Sequence, residues 1–190
     1  MIDRHVVSAG AGSLAGEYVI SAARPKDIVL LPAIELAAAK LLVGHAPPAV
    51  LAETTSPEDH ARAQRRGLLW VALADDAPVG FAHVDVIEAG SAHLEELDVH
   101  PDHARRRLGT RLVMAVCAWA ASEGLESVTL STFRDVPWNM PFYARLGFEI
   151  VSPDQLTPAL RAKAEGEIAR GLDPAKRVTM RRYSGERRDA

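Results

Sequence analysis

From Leu68 onward the apolar residues of the chain change period, and the order in which the periods follow one another admits few folds. Leu68 to Leu73, an Asp75-Asp76-Ala77-Pro78 turn and Val79 to Ile87 read as an antiparallel pair of strands with a short connection. A third strand, His93 to Val99, follows the Ala89-Gly90-Ser91 break and ends at Pro101. Helical spacing then takes over. Leu108, Leu112, Val116 and Trp119, widened by Val113 and Ala120, make one apolar face that Gly124 closes. Val128, Leu130 and Thr132 alternate in the next strand, a short helix spans Asn139 to Leu146 with Gly147 as its cap, and Phe148 to Val151 forms another strand. Antiparallel strands followed by strand, helix, strand, helix, strand predict an α/β (α+β) domain, with one mixed, mainly antiparallel sheet flanked by helices.

Ahead of this core, Tyr18 to Ala22 reads as a short strand stopped by Arg24-Pro25. Asp27 then caps a helix with apolar positions at Ile28, Leu31, Ile34, Leu41 and Leu42, which the Pro47-Pro48 pair ends. A second helix follows Pro57, running from Glu58 to Arg66 with Gly67 as its stop. Residues 1–16 form a loose arm, 17–183 the domain and 184–190 a tail. Within the domain, 153–183 supplies a C-terminal helix and strand. Arg177 to Tyr183 is expected as a final edge strand, which could pair two copies into a homodimer or equally close one sheet.

A chain of 190 residues with 48% hydrophobic and 25% charged side chains fits one globular unit. Its 22 Lys and Arg against 25 Asp and Glu leave no overall basic field, so neither nucleic acid nor an anionic membrane is an expected partner. One cysteine, Cys117, lies on an apolar helix face and reads as packing; it fits a reducing, cytoplasmic setting. The start of the chain lacks the apolar core of a signal peptide, and no stretch is apolar enough to span a membrane. His45, His60, His83, His100 and His103 have no metal-ligand spacing, so no metal is expected.

The segment Leu94 to Leu112 carries the most chemistry. A strand ends at Val99 and a helix begins near Leu108, so unpaired backbone N–H groups open at the helix mouth while Arg105, Arg106 and Arg107 crowd around it. Such a mouth attracts a polyanion, and a diphosphate matches it through amide donors and guanidinium groups. A solvated basic helix start is the plainer alternative. No Gly-Lys-Ser or Gly-Lys-Thr follows, so a nucleotide-binding P-loop is not supported.

Here the sequence resembles the GNAT superfamily of acyl-CoA-dependent N-acetyltransferases. The family signature is Gln or Arg, two residues, Gly, one residue, then Gly or Ala, and Ala104 to Gly109 occupies that window. Gly109 keeps the final glycine; Arg107 stands where the first glycine is usual and Ala104 where Gln or Arg is usual. A second block, Thr132 to Phe148, resembles the family's fifth strand, fourth helix and following strand, where an Asn and a Tyr precede Gly-Phe.

The resemblance implies acetyl-CoA as cosubstrate. Its pantetheine would lie along main-chain groups of Leu97, Asp98 and Val99, and its diphosphate on Arg105, Arg106, Arg107, Leu108, Gly109 and Thr110, with Asn139 also contacting it. Tyr143 is the implied proton donor to the departing thiolate. A primary amine near pKa 10.4 is neutral about once in 2,500 molecules at pH 7, a cost of about 4.6 kcal/mol, so a base is useful. Strict alternation puts His93, Glu95, Leu97 and Val99 on one strand face and Leu94, Glu96 and Asp98 on the other. Glu95 and His93 match the family's base positions, which leaves Glu96 and Asp98 as surface charges. The implied activity is acetyl transfer from acetyl-CoA to a primary amine, expected to be that of a small molecule ahead of that of a protein, by direct attack in a ternary complex. The alternative is an acyl-CoA-binding or regulatory module of the same fold without turnover.

Overall fold

A computed structural model describes residues 17–185; the arm at 1–16 and the last five tail residues lie outside the described part. The strands are β1 (Tyr18–Ala22), β2 (Leu69–Ala74), β3 (Ala77–Glu88), β4 (Ser91–Val99), β5 (Ser127–Phe133), β6 (Glu149–Ile150) and β7 (Arg177–Tyr183). They form one seven-stranded sheet in the order β1-β2-β3-β4-β5-β7-β6. Only β4 and β5 pair in parallel; every other neighbouring pair is antiparallel. The helices are α1 (Leu31–Ala39), α2 (Pro48–Leu51), α3 (Pro57–Arg65), α4 (Leu108–Ser122), α5 (Met140–Arg145) and α6 (Pro158–Ala169).

The helix α4 is the crossover between the two parallel strands and covers one sheet face. Leu108, Leu112, Val113, Val116, Cys117 and Ala120, at helical spacing, are all buried against it. Each buried leucine contributes about 1.5–3 kcal/mol. Trp70 of β2 meets Trp119 of α4, whereas Phe81 of β3 meets His60 of α3. Since Trp70 pairs with Ala82 and Val71 with Phe81, these contacts lie on opposite faces, which puts α3 across the sheet from α4.

Several stop signals act as expected. Gly67, Gly124 and Gly147 end their helices with φ of 72°, 71° and 84°, a region that favours a residue without Cβ. Ser56 caps α3 by accepting the Asp59 amide at 3.1 Å.

Other expectations are corrected. The turn between β2 and β3 is only Asp75-Asp76, at φ 48° and 65°, so Ala77 and Pro78 already belong to β3. Asp27 is not an N-cap; it sits in a 3-10 turn, Pro25–Leu30, and reaches back to accept the Arg24 amide at 2.8 Å. Pro47-Pro48 begins α2 rather than ending the first helix, because proline is tolerated in a first turn. The last strand has the expected bounds but is not the outermost strand: β7 lies between β5, which pairs along its whole length, and the two-residue β6, which pairs with it at Met180 and Arg181.

Candidate active site

The β4 strand contains one residue too many for its partner. His83 pairs with Glu96 and Val84 with Leu94, leaving Glu95 as the extra residue of a β-bulge. A bulge reverses the alternation beyond it. His93 therefore shares its face with Glu96 and Asp98, while Leu94, Leu97 and Val99 face α4. This corrects the expected split, in which Leu97 and Val99 sided with Glu95 and the other two acids lay apart.

The same kink opens the sheet. Pairing between β4 and β5 runs from Ser91–Ser127 to Leu94–Leu130 and stops there. Beyond it β5 pairs only with β7, and the β5-side edge of β4 from Glu95 to Val99 has no strand beside it among the described residues. The His100 amide donates to the Val79 carbonyl at 2.8 Å, so every second residue back along β4 is turned toward β3. The main-chain groups of Leu97 and Val99 therefore face the gap. Asp98 differs from the expectation: its main chain faces β3, and it is its side chain that enters the site.

The gap runs toward the start of α4. Arg107 occupies the N-cap position at φ 58°, its carbonyl accepts the Arg111 amide at 3.0 Å, and no side chain caps the first turn. Arg105 is also left-handed, at φ 61°. A left-handed residue at position 107 explains why glycine is usual there in the family pattern. The three arginines are not equivalent. Arg106 stacks 5.4 Å from the centre of the Tyr18 ring, whereas Arg105 and Arg107 are exposed and, among the described residues, have no carboxylate partner. Gly109 brings this turn up to α5, where a Cβ would stand 3.5 Å from the Phe142 ring.

The short helix α5 carries Asn139 at its N-cap position and Tyr143 in its second turn; the Asn139 side chain makes no capping bond. The Tyr143 ring packs edge-on against Phe142 and Phe148, with centroids 4.9 and 5.8 Å away. Burial, then the charges of Glu96 and Asp98, hold its phenol well above the ordinary range, so it keeps its proton.

Glu96 and Asp98, which sequence reasoning left as surface charges, are drawn into this environment. Burial and then Glu35 push the Glu96 carboxyl up to about 7. Asp98 is raised well above its usual range by burial, then by Glu96 and Glu35. Glu35, on α1, is itself raised by burial although the Thr55 amide donates to its oxygens at 2.9 and 3.1 Å. The only signal in the sequence was the Glu96-x-Asp98 spacing, which places two acids on one strand face whichever way that face points.

The two expected base candidates are otherwise engaged. His93 is buried, its Nδ1 lies 2.9 Å from the Thr129 hydroxyl, and burial lowers it to about 4. Glu95 is ion-paired with Lys163 of α6. Cys117 is buried and its thiol pushed up by that burial, as suits a packing residue. Two cavities, of about 340 and 300 Å³, lie elsewhere, between the 44–48 loop and Leu172 and between α6 and β7; neither is lined by Tyr143 or the β4 acids. Among the described residues no helix is long and apolar enough to cross a membrane.

An open main-chain edge leading to an uncapped helix mouth, with Arg105 and Arg107 lacking a carboxylate partner among the described residues, suits a ligand with amides along one arm and a diphosphate at its end, which is the build of coenzyme A. A sheet parted beside a bulged fourth strand, with an uncapped helix start at its mouth, is the architecture of the acetyltransferase class. The acetyltransferase (GNAT) family model matches residues 38–148, and the chain belongs to that family. Solved structures agree on the fold. The PaiA N-acetyltransferase of Thermoplasma acidophilum, in complex with coenzyme A, is 17% identical, with a TM-score of 0.70 over 88% of this chain and 99% of that one. The N-acetylglutamate synthase of Neisseria gonorrhoeae, complexed with coenzyme A and N-acetyl-glutamate, is 19% identical, with a TM-score of 0.66 over 90% of this chain and 36% of its own. A GNAT-family acetyltransferase of Staphylococcus aureus is 12% identical, with a TM-score of 0.65 over 89% of this chain and all of that one.

Proposed function

We propose that the protein transfers an acetyl group from acetyl-CoA to the primary amine of a small molecule by direct attack in a ternary complex. The observation that carries this reading is the meeting, at the parting of β4 and β5, of an open main-chain edge, an uncapped helix mouth and a set of buried proton carriers. Acetyl-CoA would supply an activated acetyl thioester. Main-chain groups of Leu97 and Val99 would hold its amides, and the amides of Leu108, Gly109 and Thr110 with the Arg105 and Arg107 side chains its diphosphate. Asn139, whose side chain makes no capping bond, would contact it from α5.

Glu96 is the base the structure favours over Glu95 and His93. A carboxyl near 7 is ionised in about half of the molecules at neutral pH, and a proton acceptor of that strength is well matched to its task. Glu96 takes a proton from the substrate ammonium, and the neutral amine then attacks the carbonyl carbon; the C–N bond forms, the C–S bond breaks with its electron pair leaving on sulfur, and the extra proton of the new amide nitrogen replaces the one that Tyr143 gives up. Tyr143 then donates its phenolic proton to that sulfur. The two transfers assist each other: neutralising Glu96 removes one of the charges that held the Tyr143 proton in place.

Calorimetry with coenzyme A and a thiol-release assay over an amine panel test the reading. Tyr143→Phe is expected to lower turnover with little change in acetyl-CoA affinity. Absence of any heat with coenzyme A or acetyl-CoA overturns the proposal, and unchanged turnover removes Tyr143 from the mechanism.

A further inference from the structure

The turn that carries the arginines is folded against its own preference. Arg105 and Arg107 both stand in the left-handed region, at φ 61° and 58°, where a Cβ crowds the backbone. Arginine in place of glycine adds charge at the helix mouth and removes the conformational freedom that would make this shape easy. The backbone bonds of the turn lie on either side of that stretch. The His103 amide donates to the His100 carbonyl at 2.9 Å and the Ala104 amide to that of Pro101 at 3.0 Å, while the Arg111 amide donates to the Arg107 carbonyl at 3.0 Å.

Support reaches the turn from Tyr18, the first residue of β1 and 85 residues from His103 in the chain. The Tyr18 hydroxyl shares a hydrogen bond with His103 Nδ1 at 3.0 Å, and the two rings meet edge-on with centroids 5.8 Å apart. The Arg106 guanidinium lies 5.4 Å from the centre of the Tyr18 ring, within cation–π range. Arg111, one turn into α4, donates from Nη2 to the Tyr18 carbonyl at 2.8 Å. A single residue thus grips the turn ahead of its left-handed stretch, between the two left-handed residues and just beyond them. Tyr18 is half-buried and packed against the main core, so the grip has an anchor.

Resting on the acetyl-transfer reading, we infer that Tyr18 is a positioning residue for coenzyme A. It acts through His103 and Arg106 rather than on the coenzyme itself, holding residues 103–107 in the left-handed form that leaves the amides of Leu108, Gly109 and Thr110 open for the diphosphate. Without Tyr18 the turn relaxes toward backbone shapes that arginine prefers. The binding-competent fraction then falls, and the apparent affinity for the coenzyme falls by the same factor. The proton carriers on β4 and α5 are untouched, so saturating acetyl-CoA restores the full rate.

Coenzyme A is titrated calorimetrically into the full chain and into its Tyr18→Leu and Tyr18→Phe variants. Tyr18→Leu is expected to bind at least about tenfold more weakly, and Tyr18→Phe, which keeps the ring beside Arg106 and loses only the bond to His103, about threefold more weakly. In steady-state assays the KM for acetyl-CoA should rise by the same factors while kcat stays within about twofold of the wild type. Arg107→Gly supplies the background that separates positioning from general support of the fold. Glycine adopts φ 58° without strain, so in that background Tyr18→Leu should weaken coenzyme A binding by less than about threefold. Unchanged binding by Tyr18→Leu, an equal loss in both backgrounds, or a fall in kcat in place of the rise in KM each overturn the inference. If Tyr18→Leu does not fold, Tyr18→Phe in the two backgrounds makes the same comparison, with its loss expected to vanish beside Arg107→Gly. A wild type that binds no coenzyme A fails the acetyl-transfer reading instead. Hydrogen exchange of the His103 and Ala104 amides, expected to be at least about tenfold faster in Tyr18→Leu, then still decides whether Tyr18 holds the turn.

Discussion

Replacing Glu96 by glutamine separates what the residue does for catalysis from what it costs the fold. Raising a carboxyl from 4.5 to about 7 disfavours its ionised form in the folded protein by about 3 kcal/mol. The folded state then holds the proton more tightly than the unfolded chain. Stability is therefore fully present below pH 4.5 and is lost as the pH rises through 7. Glutamine cannot ionise, keeps the shape of the side chain and offers Asp98 a donor. Glu96→Gln should thus melt close to the wild type near pH 4.5. Above about pH 8 it should be more stable by up to about 3 kcal/mol, roughly 6–12 °C in a chain of this size.

Turnover should move the opposite way. Losing a general base costs about 10²- to 10⁴-fold, and the acid limb of the rate profile near pH 7 should vanish with it. Thermal melts at the two pH values, with steady-state rates across the range, give both readouts on the same samples. A melting advantage that is equal at low and high pH, or turnover that keeps its limb near 7 in the variant, refutes the reasoning.

Glu95→Gln should lower turnover far less than Glu96→Gln, because Glu95 is committed to Lys163; the reverse order in the same assay would return the base to the bulge residue. Arg107→Gly should relieve a left-handed non-glycine residue, worth about 1 kcal/mol and a few degrees of melting temperature, while weakening coenzyme A binding in calorimetry through loss of the guanidinium. Leu112→Ala, at a fully buried position under α4, should cost about 2–5 kcal/mol in chemical denaturation.

Local chemistry decided much of this protein before any folding partner was known. The periods of 2 and 3.6, the breaks at Pro101, Gly124 and Gly147, and the arginine-lined passage from Val99 into Leu108 all depend on residues close in sequence, and each lies where those residues imply. The fold class and the uncapped helix mouth were legible for that reason. Glu95 shows where this ends. Whether a strand residue is paired or bulged depends on the partner strand β3, so the face of every β4 residue beyond it cannot be counted from the sequence. The insertion of β7 between β5 and β6 is likewise a choice among strands far apart in the chain. The carboxyl cluster needs even more: Glu35 comes from α1 and Glu96 and Asp98 from β4, and their charges act on one another strongly only because folding removes the water around them. The sequence alone determined the elements and the mouth of the site; tertiary structure decided which acids line it, because burial and strand register are properties of the assembled sheet.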